Sequence, residues 1–107
     1  MEGEVASAVP TKFAMFYTYV LHSARDGELY TGATSDLRAR VRDHIEGRVR
    51  STRNRAPLEL VYYEACLSQA DAFRRERHLK TGRGKRYLRL RLTEWRASLS
   101  PNKLKRH

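Results

Sequence analysis

Apolar positions recur along this chain with two different periods, and each change of period marks an element. "MFYTYVLHS" (15–23) is rich in aromatic and β-branched residues, the composition of a strand. "ARDGELYTG" follows, and its Asp26-Gly27 is a strong hairpin signal, so Glu28–Gly32 is expected to pair back antiparallel. The period then lengthens. Leu37, Val41 and Ile45 recur every four residues behind Ser35-Asp36, which supply a capping side chain and an acid at the positive end of a helix dipole. Gly47 stands where such a helix stops. "LELVYYEAC" (58–66) reads as a third strand, mostly buried. Ser68 with Asp71 three residues on is a capping-box pattern that opens a second helix over 69–80, and "TGRG" breaks it. "YLRLRLTEW" alternates like a strand, yet Leu88, Leu92, Trp95 and Leu99 also fit one helical face. Leu and Arg favour the helix, which predicts one over 84–99.

The order β-β-α-β-α-α predicts a small α/β domain of the α+β type: a three-stranded, mainly antiparallel sheet flanked by helices. A length of 107 residues allows one domain with one modest core. That domain is expected over 13–99, between a flexible polar tail (1–12) and a basic tail, "SPNKLKRH" (100–107). No stretch approaches the roughly 18 consecutive apolar residues of a membrane span, and the N-terminus lacks the basic-then-apolar pattern of a signal peptide. The single cysteine, Cys66, excludes an internal disulfide, fits a reducing compartment and reads as a buried filler. Cytoplasmic residence is the expectation, with nucleoid association as an alternative within it. His22, His78 and His107 have no metal-ligand spacing with one another or with Cys66, which argues against structural zinc.

Charge changes the picture most. Lys and Arg total 22 against 12 acids, for a formal net charge of +10. Arg dominates, and its planar fork grips phosphate with two parallel hydrogen bonds. Arg48, Arg50, Arg53 and Arg55 crowd "GRVRSTRNRAP", while Arg83, Lys85, Arg86, Arg89 and Arg91 crowd a second tract. Two dense basic tracts point to a polyanion, and nucleic acid is the commonest one.

A candidate centre stands beside those tracts. Tyr17 and Tyr19 share a strand face, as do Tyr30 and Gly32, and a two-residue turn at Asp26-Gly27 places Tyr19 and Tyr30 on the same side. Arg40 and His44 are four apart on the first helix and share a face. In "AFRRERHLK" (72–80) a lone acid, Glu76, lies on the stripe of Phe73 and Leu79 that is expected to face inward. A carboxylate there needs a positive partner, either Lys80 one turn on or something from outside the chain.

These residues, in this order, resemble the GIY-YIG endonuclease superfamily. Tyr17-Thr18-Tyr19 stands at the first motif and Tyr30-Thr31-Gly32 at the second, with Arg40 and His44 in "SDLRARVRDH" and Glu76 in "AFRRERHLK" at the later family positions. The small single-domain bacterial members are most similar, through the run "DGELYTGATSDLRARVRDH", and they are related to the catalytic domain of the excision-repair incision subunit. The resemblance covers roughly residues 16 to 92.

The resemblance implies hydrolysis of DNA phosphodiester bonds with one divalent ion, Mg2+ first and Mn2+ as its substitute. It implies that Glu76 holds the ion, that Arg40 holds a phosphate oxygen, and that Tyr19 deprotonates or orients the attacking water. His44 is implied as helper or proton relay on the strength of its near-neutral titration, and Tyr30 as a further hydrogen-bonding group. A phenol with an ordinary pKa near 10 would need nearby positive charge for the role given to Tyr19. Arg38, Arg48, Arg50, Arg53, Arg55, Arg83, Lys85 and Arg86 are the expected DNA contacts.

The chain departs from the family pattern at several points. Tyr17 stands for the Gly of the first motif, and Thr31 for the Ile of the second. Ala33-Thr34 stand where the incision enzymes carry a Lys, and "TGRGKRYLRL" lacks the Asn that some members carry beyond the metal Glu. With no separate targeting domain in evidence, cleavage is expected to depend on DNA structure or on partners more than on a long sequence, with repair or recombination as its setting. Two rivals stand beside this reading: a non-catalytic DNA- or RNA-binding module on the same fold, and a small RNA-associated protein.

Overall fold

A computed structural model describes residues 14–99, so the two terminal tails lie outside the described residues. Three strands, β1 (Phe16–Ser23), β2 (Leu29–Thr34) and β3 (Leu58–Cys66), form one antiparallel sheet in the order β2-β1-β3. Among the described residues there are four α-helices: α1 (Leu37–Ile45), α2 (Gln69–Leu79), α3 (Gly82–Arg91) and α4 (Thr93–Ala97). A short 3-10 helix (Arg53–Arg55) lies between α1 and β3. The architecture is the α+β sheet-and-helix arrangement that the hydrophobic pattern predicts. Among the described residues, no helix is long and apolar enough to cross a membrane.

The period of two along β1 divides the core. Val20 packs with Leu79, Leu88 and Leu92 beneath α2–α4, supported by Leu29, Val61, Tyr62 and Trp95. Tyr19 and Leu21 point to the other face and pack with Leu58, supported by Leu37 and Val41 of α1. Each fully buried Leu or Val contributes about 1.5–3 kcal/mol, so the two clusters fix which helix covers which face. A bulge between Val20 and Leu21 lets Val61 and Tyr62 of β3 both face the first cluster.

The cap of α2 is as expected, with Ser68 accepting a hydrogen bond from Asp71 N at 3.3 Å. At α1 the cap is Asp36 and not Ser35: the Asp36 carboxylate accepts from Ala39 N at 3.1 Å, and the first turn holds no acid. Gly47, at φ +79°, takes up the left-handed conformation just past α1.

Five further expectations need correction. The hairpin turn is longer than two residues: Ser23 N donates to Glu28 O, and Tyr19 pairs with Gly32 and Leu21 with Tyr30. The resulting shift of register is even, so Tyr19 and Tyr30 still share a face. β3 is half exposed, not mostly buried, because it is an edge strand and leaves Tyr63 53% exposed. On α1 the inward line is Leu37, Val41 and His44, and Ile45 is 54% exposed. On α2 it is Ala72 and Leu79, with Phe73 43% exposed. The last helix starts two residues early, at Gly82 behind the Thr81 cap, and breaks at Leu92. There the Thr93 hydroxyl donates to the Leu90 carbonyl at 2.7 Å, drawing that carbonyl out of the helical ladder.

Candidate active site

Tyr19 (β1), Tyr30 (β2), Arg40 and His44 (α1) and Glu76 (α2) come from four elements, and the fold draws them together around the Tyr19 hydroxyl. Tyr19 is 1% exposed, and its Oη lies 2.8 Å from Nε2 of His44. On the far side of the same ring, Nδ1 of His44 lies 2.7 Å from Oγ1 of Thr52. His44 and Thr52 are both fully buried. The Tyr30 ring sits 5.1 Å from that of His44, tilted by 57°. Burial raises the Tyr19 phenol above its ordinary pKa; the Arg40 guanidinium pulls it down, while Tyr30 and Glu76 push it up. All three therefore act electrostatically on one oxygen.

The positive charge that the role given to Tyr19 needs is present in Arg40, but desolvation outweighs it and the net shift of the phenol is upward. His44 was expected to titrate near neutrality, but burial first, and the charge of Arg40 second, push it down from 6.5 to about 4. The imidazole is thus neutral at pH 7, and one of its nitrogens is free to accept a proton. This carries a stability signature. The unfolded chain takes up a proton near pH 6.5, whereas the folded chain resists protonation until about pH 4. Stability present above pH 6.5 is therefore expected to fall through that window, and His44→Gln to flatten the fall in urea titrations at stepped pH. An equal slope in both proteins would disprove the assignment.

Gly32 sets the position of Tyr19. A Cβ at residue 32 would come within 2.5 Å of the Tyr19 oxygen and 2.6 Å of its Cζ. No side chain fits there unless the phenol leaves. Gly32→Ala is expected to cost about 1–3 kcal/mol in urea denaturation, and to displace the hydroxyl from His44. Unchanged stability would show the ring to be mobile.

Glu76 is partly exposed, with its side chain 21% exposed and Oε2 at 3.0 Å from Nζ of Lys80. In this structure its positive partner is Lys80. Among the described residues no three His, Cys, Asp or Glu side chains gather to form a metal cage. A cage is not what a hard divalent ion requires: such an ion keeps several waters and needs one or two carboxylates plus substrate phosphate. One accessible carboxylate beside Tyr19 and Arg40 fits that demand.

Thr52 went unnoticed in the sequence. Arg residues surround it, and a hydroxyl in a polar loop reads as solvated; only the fold shows it sealed against His44. The basic residues also divide. Arg48 is paired with Asp43 and Glu46, and Arg55 with Asp26 at 2.9 Å, so these two are tied to acids of their own chain. Arg38, Arg50, Arg53, Arg83, Lys85 and Arg86 are exposed. Arg75 has a structural task, gripping Glu64 through both carboxylate oxygens at 2.8–3.0 Å and lying 4.8 Å over the Tyr87 ring. That clamp joins α2 to β3 and α3. His22 lies against Trp95 at 4.9 Å between ring centroids, in a packing role.

A hydroxyl that shares its proton with a neutral imidazole, beside a guanidinium and an accessible carboxylate, is a set suited to phosphoryl chemistry. The chain is 39% identical over 69 residues to a UPF0213 protein of Staphylococcus haemolyticus, covering 64% of this chain and 83% of that protein. It is 42% identical over 66 residues to a UPF0213 protein of Bacillus pumilus, covering 61% of this chain and 66% of the relative. A solution NMR structure of the UPF0213 protein BH0048 from Bacillus halodurans aligns with 32% identity and a TM-score of 0.44, covering 83% of this chain and 90% of that one. Residues 15–89 match the family profile described as the GIY-YIG catalytic domain, and the span holds all five side chains around the Tyr19 hydroxyl. The chain belongs to the GIY-YIG family of nuclease domains.

Proposed function

We propose that the protein is a divalent-metal-dependent endonuclease that hydrolyses phosphodiester bonds in DNA, directed by DNA structure and working in the cytoplasm on repair or recombination intermediates. The observation that carries this reading is the gathering of Arg40, Glu76, Tyr30 and His44 around the Tyr19 oxygen. A pure binding module has little use for a carboxylate beside phosphates. Family membership and a net charge of +10 support a nucleic-acid substrate.

Glu76 would hold the ion, Mg2+ before Mn2+, with Lys80 swinging aside; when bound, the ion shields the scissile phosphate and steadies the leaving oxygen. The rest falls to the chain itself. Arg40 binds a non-bridging phosphate oxygen and offsets the charge that grows on it as the bond to water forms. The step uses the tautomer in which the Tyr19 O–H donates to Nε2 of His44 and Nδ1–H of His44 donates to Thr52 Oγ1. As water attacks phosphorus, its proton passes to the Tyr19 oxygen while the phenolic proton passes to Nε2. No free phenolate is needed, which suits a phenol whose pKa is raised. Tyr30 flanks the water and the phosphate.

The test is a panel of labelled branched, flapped, damaged, single-stranded and paired DNAs, incubated with magnesium, with manganese or with chelator. Cleavage that chelator abolishes is expected. If no substrate is cut with either metal, the chain is a binding module. Binding carries its own expectation: six exposed cations, Arg38, Arg50, Arg53, Arg83, Lys85 and Arg86, give a slope of log affinity against log salt of about −5 on duplex DNA. A flat response would remove these residues from the interface. Competition by RNA of matched length decides which nucleic acid is preferred.

A further inference from the structure

We propose that the cleft between β2 and the α2–α3 pair is a subsite for one unpaired nucleotide, close to the bond that is cut. The inference rests on the nuclease reading above and adds a substrate class to it.

The cleft measures about 580 Å³, within the range of pockets that enclose small ligands. Its apolar lining residues are Leu29, Leu79 and Leu88, of which Leu79 and Leu88 are almost wholly covered by the core. Lys85, Arg89 and Arg96 line it as well, and among the described residues none of the three has an acidic partner within salt-bridge distance. Glu28 is the acid in the lining. A cleft lined by apolar residues and by cations is the complement of a nucleotide, whose base has an apolar face and whose phosphate is anionic.

The position matters more than the size. Tyr30 and Lys80 both line this cleft. Tyr30 also stands 5.1 Å from the His44 ring, and Lys80 holds Glu76. A nucleotide in the cleft is therefore flanked by two residues that border the Tyr19 site. A base stacked in a duplex cannot enter. Extruding one costs a few kcal/mol, and least where the base is already unpaired. Arg83 and Arg86, on the same helix as Lys85, do not line the cleft and remain for paired backbone on the outside.

The test compares two labelled duplexes of one sequence, one fully paired and one with a single bulged nucleotide, by fluorescence anisotropy in chelator. Their charges are nearly equal, so general attraction cancels in the ratio. The wild type is expected to bind the bulged duplex about tenfold more tightly. The Lys85→Ala/Arg89→Ala protein, altered at two exposed positions, is expected to lose that ratio, with the salt slope on the bulged duplex falling by about 1.8. Arg74→Ala, outside the cleft, should change neither quantity. A double variant that keeps ratio and slope overturns the subsite, as does a wild type with no preference. If the preference exists and depends on these residues but magnesium and manganese yield no cleavage, the subsite stands and the nuclease reading falls.

Discussion

Glu76→Ala is expected to slow DNA cleavage by about a thousandfold or more while leaving binding equal or tighter. The two halves of this result have separate causes. Cleavage falls because Glu76 is the one carboxylate among the five site residues, so no neighbour in the set can take over the ion. Binding holds or improves because the change removes a negative charge from a surface meant for phosphate and frees Lys80 from its ion pair. Turnover of the best substrate in magnesium, with anisotropy in chelator, reads both. Glu76→Gln keeps the shape and separates charge from packing. A variant that cuts at wild-type rate would place the ion elsewhere, and one that no longer binds DNA would show that Glu76 organises the surface.

Gly84→Ala is expected to destabilise the fold by about 3 kcal/mol or more, at or beyond the upper end for overpacking. A Cβ at residue 84 would meet His78 O at 2.1 Å and Leu79 Cα at 2.4 Å. Both obstacles are backbone, so no rotamer change relieves them. The glycine lets the first turn of α3 lie directly on the end of α2, and Leu79 and Leu88 of the first core cluster depend on that approach. Urea denaturation measures the loss. A cost below about 1 kcal/mol would mean that α3 shifts freely and the contact is incidental.

The strands and their faces were legible because the period of two leaves little freedom: Tyr19, Leu21 and Tyr30 fall on one side even though the turn is longer than expected. Helix rotation was less legible. On α1, Val41 followed by either His44 or Ile45 satisfies an apolar stripe, and hydropathy favours the isoleucine. The fold buries the histidine because Tyr19 and Thr52 supply partners for both of its nitrogens. Those partners lie 25 and 8 residues away, so no local pattern announces them. On α2, Ala72 displaces Phe73 from the interior because α2 rests close against β1, where Thr18 Oγ1 donates to the Ala72 carbonyl at 3.0 Å. The site residues were legible as a set through their family-like spacing, but their proton chemistry was not. Burial, which sets the direction of the Tyr19 and His44 shifts, is a property of the assembled fold.

Contributions to one hydroxyl's surroundings from β1, β2, α1 and α2 also bear on biosynthesis. During translation Tyr19, Tyr30, Arg40 and His44 leave the ribosome well before Glu76, and the Thr18–Ala72 bond spans 54 residues. A truncated or half-made polypeptide thus carries Arg40 without Glu76, and on the nuclease reading it has no carboxylate to hold the ion. Stalled products ending before α2 should bind DNA yet leave it uncut, whereas nicking by such a fragment would mean that hydrolysis needs less of the domain than these contacts imply.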